Sequence, residues 1–285
     1  LEAGKPFYFF ACAALCIFTL HYYVLLFCHI QFFVLCTGAV GASWIKKQLP
    51  TDSRVLIQDL TAGMCGLSIL GGQANEIMDI LDPLFEIGTW EIGQAKELFI
   101  KNVQVLAVYD SYAGLKRWEF YTSMDQALPL WDELFEAGRR HQLIAAGDRA
   151  LENLRIESLI PRSCKDFWSE HDPYEAGLEH MVDMTKSAFL GKKALLERKA
   201  QGAKLVLTPL LLDDPSTVVM GHEPVFDGDK AAGFVTSAGF DYSKGKGIMY
   251  ALLSPESAES HVLSVEYFGQ RLSAKMLTET AVTTQ

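Results

Sequence analysis

The chain has 285 residues, 49% of them hydrophobic and 21% charged, with a formal net charge of −10. That length allows two domains with substantial cores. The acidic balance excludes broad phosphate neutralisation, and with it a nucleic-acid partner; the short basic clusters Lys192-Lys193 and Arg139-Arg140 read as solvated helix faces.

Residues 7–27 form a run without formal charge, long enough at about 1.5 Å per residue to cross a hydrocarbon core of about 30 Å. Two readings stay open: a membrane span, or an aberrant segment in front of the folded chain. The first residue is Leu1, which suggests a fragment, a processed form or an incomplete gene model. Cys12, Cys16, Cys28 and Cys36 lie in one apolar segment that extends beyond residue 27, and Cys65 and Cys164 stand alone. Without a Cys-x-x-Cys pair, no zinc site or redox pair is signalled, and a reducing compartment is the simplest setting.

From Val34 to Leu49 the pattern is strand, glycine turn and helix, closed by Pro50. Arg54–Asp59 reads as a strand, Thr61–Gly63 as a turn and Cys65–Leu70 as a further apolar run. A helix is predicted over Ala74–Leu81, with Ile77, Ile80 and Leu81 inward and Pro83 ending it. Leu98–Ile100 and Val103–Val108 form a hairpin about Lys101-Asn102, and Trp118–Tyr121 continues the sheet. Ser123 or Asp125 caps a helix to about Ala137 with Leu130, Leu134 and Phe135 inward. Another helix covers Ala150–Leu159. After Gly202 the texture changes to short apolar runs at 205–207, 232–236, 248–253, 262–267 and 272–276, the signature of a small antiparallel barrel or sandwich.

Between the second and third strands of that sheet, Asp110–Tyr121 carries Tyr112 and Gly114 in a small loop and Glu119 in the strand that follows. This stretch resembles the folate-binding loop of the glycine-cleavage T-protein (aminomethyltransferase) family, Tyr-x-Gly-Glu-x-Gly-x-Glu. Further stretches fall in register with that family's dimethylglycine/sarcosine dehydrogenase branch: Phe33–Gly41 with Trp44–Pro50, Asp59–Thr61, Leu151–Glu157, Asp172–Leu178, Phe189–Leu195, Gly221–Val225, Gly233–Ala238 and Val265–Gly269. Each is weak alone; their shared order and spacing make the resemblance specific, and it spans about residues 31 to 279.

The resemblance implies an α+β fold: a ferredoxin-like folate-binding unit, N-terminally incomplete, followed by a small antiparallel β-barrel. The implied organisation is an apolar segment over 1–30, a folate-binding domain over 31–202 and a barrel domain over 203–285. The implied ligand is tetrahydrofolate. Glu119 would grip the pterin, its carboxylate accepting parallel N–H bonds, and Tyr112 would wall the site. Arg155 is either a partner of the folate tail or a helix residue paired with Glu152 or Glu157.

The implied function is capture of a one-carbon unit, from an imine made of an N-methyl amine, as 5,10-methylene-tetrahydrofolate. No Gly-x-Gly-x-x-Gly follows a strand, and Gly38-Ala-Val-Gly41 reads as a structural turn, so no FAD site is expected in this chain and a separate flavin oxidoreductase domain is the implied partner. The implied setting is mitochondrial or cytoplasmic, with membrane association through 7–27 left open. Three departures bear on catalysis: Leu115 stands where the family has its first loop Glu, Arg117 replaces a glycine, and residues 1–30 hold no Asp where the family has its catalytic carboxylate. The rival reading is a non-catalytic folate-fold protein used for binding or assembly.

Overall fold

Strands are the first described elements of the chain, Tyr8–Ala11 and the start of Leu25–His29 falling within the charge-free run. The computed structural model describes residues 8–11, 25–29, 32–37, 39–50, 55–82, 84 and 86–277. Strands β1 (Tyr8–Ala11), β2 (Leu25–His29), β3 (Phe32–Cys36) and β4 (Leu56–Asp59) form a sheet in the order β2-β3-β1-β4. β1 runs parallel to β3 and β4, and β2 is antiparallel to β3. Of the two open readings of 7–27, the membrane span is not supported where β1 and the start of β2 lie; the rest of that run is outside the described residues. Among the described residues no helix is long and apolar enough to cross a membrane. Aromatic runs pair well in sheets, and a charge-free stretch does not by itself separate strand from span.

The predicted strand and helix between Val34 and Leu49 are β3 and α1 (Ala39–Gln48), whose last turn carries Lys46 and Lys47 at the end where the helix dipole favours cations. Gly41 lies within α1 rather than in a turn, and a Cβ there would stand 2.1 Å from Thr37 Oγ1. Gly38 is outside the described residues.

Next come β5 (Met64–Leu70), α2 (Ala74–Leu81), β6 (Ala95–Ile100), β7 (Val103–Tyr112), β8 (Leu115–Ser123) and α3 (Ala127–Gly138). The four strands make an antiparallel sheet in the order β5-β8-β7-β6. Period-2 alternation sends Leu67, Ile69, Val105, Ala107, Trp118 and Phe120 into one core with Ile77, Met78, Leu130 and Leu134 of the two helices. Trp118 anchors it: its ring stacks on Tyr109, takes the edge of Trp90, and its Nε1 donates to Asn75 Oδ1 at 2.9 Å.

Two details differ from the sequence expectation. Met78 is buried in α2, and Ile80 is half exposed. Neither Ser123 nor Asp125 makes a side-chain cap bond; a single 3₁₀ turn over Met124–Gln126 leads into α3 instead. Pro83, the expected helix stop, is outside the described residues, and α2 ends with Asp82 already extended.

The chain divides into two compact units, Leu1–Leu151 and Glu152–Gln285. Helix α4 (Asp148–Glu157) straddles that division, and α5 (Lys192–Gln201) precedes the barrel. The barrel strands are β9 (Val206–Leu212), β10 (Pro224–Asp227), β11 (Lys230–Asp241), β12 (Lys246–Leu253), β13 (Leu263–Tyr267) and β14 (Gln270–Met276). They close in the order β10-β11-β12-β9-β14-β13, every pair antiparallel. The interior holds Leu210, Leu212, Val225, Val235, Met249, Ala251, Leu253 and Val265. β12 is apolar on both faces because its outer residues Tyr250 and Leu252 are covered by Leu159, Phe167 and Trp168. At Gly233 the barrel wall needs glycine: a Cβ would stand 1.9 Å from the Leu252 carbonyl oxygen.

Candidate functional site

The loop between β7 and β8 is shorter than the sequence suggests. Tyr112 is the last residue of β7 and pairs with Leu115, the first of β8. Only Ala113 and Gly114 remain as the turn, at φ 55° and 74°. Two consecutive positive φ values are the hallmark of the two-residue hairpin turn whose twist suits β-strands. Glycine adopts this at little cost; Ala113 does not.

That turn sets the register. Asp110 stands opposite Arg117, Val108 opposite Glu119, and Ser68 of β5 flanks Glu119 on its other side. Directly opposed residues share a face. Tyr112, Asp110, Arg117, Glu119 and Tyr121 therefore lie on one side of the sheet, with α2 and α3 on the other. The structure puts Glu119 and Tyr112 on the same face, and Arg117 stands between them, touching both.

Arg117 Nη1 lies 3.0 Å from Glu119 Oε1, and its Nη2 pairs with Asp110 Oδ2. The guanidinium stacks on the Tyr112 ring, 5.0 Å from its centroid. Tyr121 donates its hydroxyl to Glu119 Oε2 at 2.7 Å. Glu119 keeps 13% of its side chain exposed, while Arg117 and Tyr112 are buried. Burial opposes the Arg117 charge, but Glu119 first and Asp110 second overcome it and push its pKa above the ordinary value. Asp110, Arg117 and Tyr121 were not singled out as site residues from the sequence. The signal was present: with a two-residue turn at 113–114, Asp110 must face Arg117, and i, i+2 spacing puts Glu119 and Tyr121 on the same side.

Arg155 sits in the other compact unit, and it is wholly buried. Its Nη2 donates to Glu152 Oε1 at 2.6 Å; its Nη1 donates to Asp166 Oδ2 at 2.7 Å and to the Ile160 carbonyl at 3.0 Å. This is the helix-paired alternative, with Glu152 rather than Glu157. Asp166 is saturated: Oδ2 accepts from Arg155 and from the Arg162 backbone N–H, and Oδ1 accepts from Thr236 and Ser237. Arg162 and Lys165 also pair with Glu152. Burial alone would raise the Glu152 carboxyl, but the Arg155 hydrogen bond and charge, then Lys165, lower it from 4.5 to about 2.

The Asp172–Leu178 stretch is likewise built for structure. Asp172 accepts from the Tyr174 and Glu175 backbone N–H groups and from Arg198 of α5. Buried Glu175 receives the Asp172 and Lys204 N–H groups. Among the described residues no group of His, Cys, Asp and Glu is arranged to hold a metal ion. An open hollow of about 380 Å³, lined by Lys101, Gln126, Leu128 and Asp132 among others, involves none of Tyr112, Glu119 and Arg155.

Residues 24–186 match the GCVT N-terminal domain, and residues 206–282 match the glycine cleavage T-protein C-terminal barrel domain. The chain is 29% identical over 266 residues to human mitochondrial dimethylglycine dehydrogenase, covering 89% of this chain and 30% of that protein. It is 29% identical over 219 residues to the aminomethyltransferase of Halalkalibacterium halodurans, covering 76% of this chain and 59% of that protein. In fold it resembles the crystal structure of glycine cleavage system aminomethyltransferase T from Bartonella henselae, with a TM-score of 0.68 at 20% identity over 78% of this chain and 60% of that one. The chain thus spans under two thirds of each of these proteins.

Proposed function

The chain belongs to the glycine cleavage T-protein family, and from that premise we propose that it is a tetrahydrofolate-binding, aminomethyltransferase-like unit of the dimethylglycine dehydrogenase type. Residues 31–202 form the proposed folate-binding domain and 203–285 the barrel domain.

The observation that carries the reading is Glu119. Its carboxylate sits on the same sheet face as Tyr112, with Arg117 between the two, and is oriented by the Tyr121 hydroxyl. A carboxylate so placed accepts two in-plane N–H bonds from an aminopyrimidinone. Arg155 serves as a strut of the second unit in this account and not as a contact to the folate tail, since each of its Nη atoms is engaged by protein acceptors. In the proposed reaction a separate flavin oxidoreductase domain makes an imine from an N-methyl amine. Two folate nitrogens each form a bond to the imine carbon, its C=N bond breaks, the two folate N–H protons leave on the amine, and 5,10-methylene-tetrahydrofolate results. The mitochondrial relative supports a mitochondrial setting.

A second reading is favoured by one observation: Arg117 already occupies Glu119. With no Asp in residues 1–30 to handle a proton, the unit then binds reduced folate weakly and does not turn it over. Formation of 5,10-methylene-tetrahydrofolate from tetrahydrofolate and formaldehyde separates the two. A rate above the uncatalysed background supports capture. Binding without rate enhancement supports the non-catalytic unit, and no binding at millimolar tetrahydrofolate contradicts both.

A further inference from the structure

Arg117 offers Glu119 the same hydrogen-bonding surface that a pterin would. A guanidinium is planar, carries in-plane N–H donors and stacks on aromatic rings. Here it lies against Tyr112 and directs Nη1 to Glu119 Oε1 at 3.0 Å. The arrangement has two carboxylates for one guanidinium, because Nη2 is held separately by Asp110. Arg117 is therefore able to release Glu119 while Asp110 retains its charge partner. A neutral ligand must, however, replace a charge-assisted bond with an uncharged donor, which is the weaker of the two.

We propose that Arg117 is a built-in competitor for the pterin: a specificity-determining residue that fills Glu119 and makes the site selective against neutral aminopyrimidinone ligands. The proposal rests on the reading of Glu119 as the pterin acceptor. On the reading of weak folate binding, it assigns that weakness to one side chain and not to a degraded fold. The small turn fixes the competition, since Ala113-Gly114 places Asp110 opposite Arg117 two residues before Glu119.

The test is calorimetric titration of tetrahydrofolate, under reducing conditions, into four proteins of the whole 285-residue chain: the parent, Arg117→Gly, Glu119→Gln and the double variant. Circular dichroism checks that each is folded. Should Arg117→Gly fail to fold, Asp110→Asn added to it removes the carboxylate left unpaired, and that pair of substitutions replaces the single one throughout. The expected result is at least a tenfold tighter Kd for Arg117→Gly, with the gain abolished when Glu119→Gln is added. A folded Arg117→Gly protein that binds no tighter, while Glu119→Gln weakens the parent, overturns the competitor and leaves Glu119 as the acceptor. A gain that survives in the double variant also overturns it. Indifference to Glu119→Gln in both backgrounds overturns the acceptor itself, and the competitor with it.

Discussion

Arg155 Nη1 and Asp166 Oδ2 meet at 2.7 Å with both side chains wholly buried. The pair ties α4 to the loop whose Asp166 holds Thr236 and Ser237 of β11, so one ion pair joins a helix to the barrel wall. Removing one member of a buried pair leaves the other uncompensated, which costs far more than the pair contributes. Arg155→Met is expected to destabilise the chain by about 3–5 kcal/mol in urea denaturation. Adding Asp166→Asn is expected to recover part of that loss.

Acid should weaken the same network. Glu152 is lowered from 4.5 to about 2, so the folded state binds fewer protons than the unfolded state between those values. Its contribution is complete above about pH 4.5 and is lost as the pH falls toward 2. At about 1.4 kcal/mol per pKa unit this amounts to roughly 3 kcal/mol. Glu157 runs the other way: burial, then the charge of Asp241, raises it. Its contribution is present below the ordinary Glu value and is lost as the pH rises through its folded pKa. Denaturation midpoints followed from pH 7 to pH 2 should fall below about pH 4.5, and Glu152→Gln should flatten that fall.

The strained hairpin offers a gain. Ala113 holds φ 55° beside Gly114 at 74°, and Asn-Gly is the pair this turn prefers. Ala113→Asn is expected to raise stability by about 0.5–1 kcal/mol in denaturant titration, without the unfolded-state entropy that an added glycine brings.

At the barrel, Gly233→Ala should be costly. The new methyl would stand 1.9 Å from backbone oxygen of β12, so β11 and β12 must separate. A loss of about 3 kcal/mol is expected, at the upper end for overpacking, and thermal unfolding measures it.

Much of this architecture was legible where the signal is local. Helix α2 has the predicted limits, the 98–108 hairpin turns at Lys101, and the apolar runs after Gly202 became strands of a closed barrel. What escaped depends on distant partners. β10 is four residues beginning with Pro224, and pairing to β11 and β13 makes it a strand, so its own composition says little. Ile80 and Met78 exchange places because a helical wheel gives the apolar stripe but not which of its edges meets the sheet. The residue types at the site were readable, Glu119 and Tyr112 among them. The occupation of Glu119 was not, because it required the register of a two-residue turn that propensity assigns to a longer loop. The 7–27 run left two readings open for a related reason: absence of charge is common to membrane helices and to strands, and only pairing separates them.

The most direct test of the account is a crystal structure of the full chain soaked with millimolar tetrahydrofolate. The account predicts the amino edge of the pterin within about 3 Å of the Glu119 carboxylate, over Tyr112, with Arg117 turned away and retained by Asp110. Folate bound elsewhere, with the Glu119–Arg117 pair left intact, would contradict it.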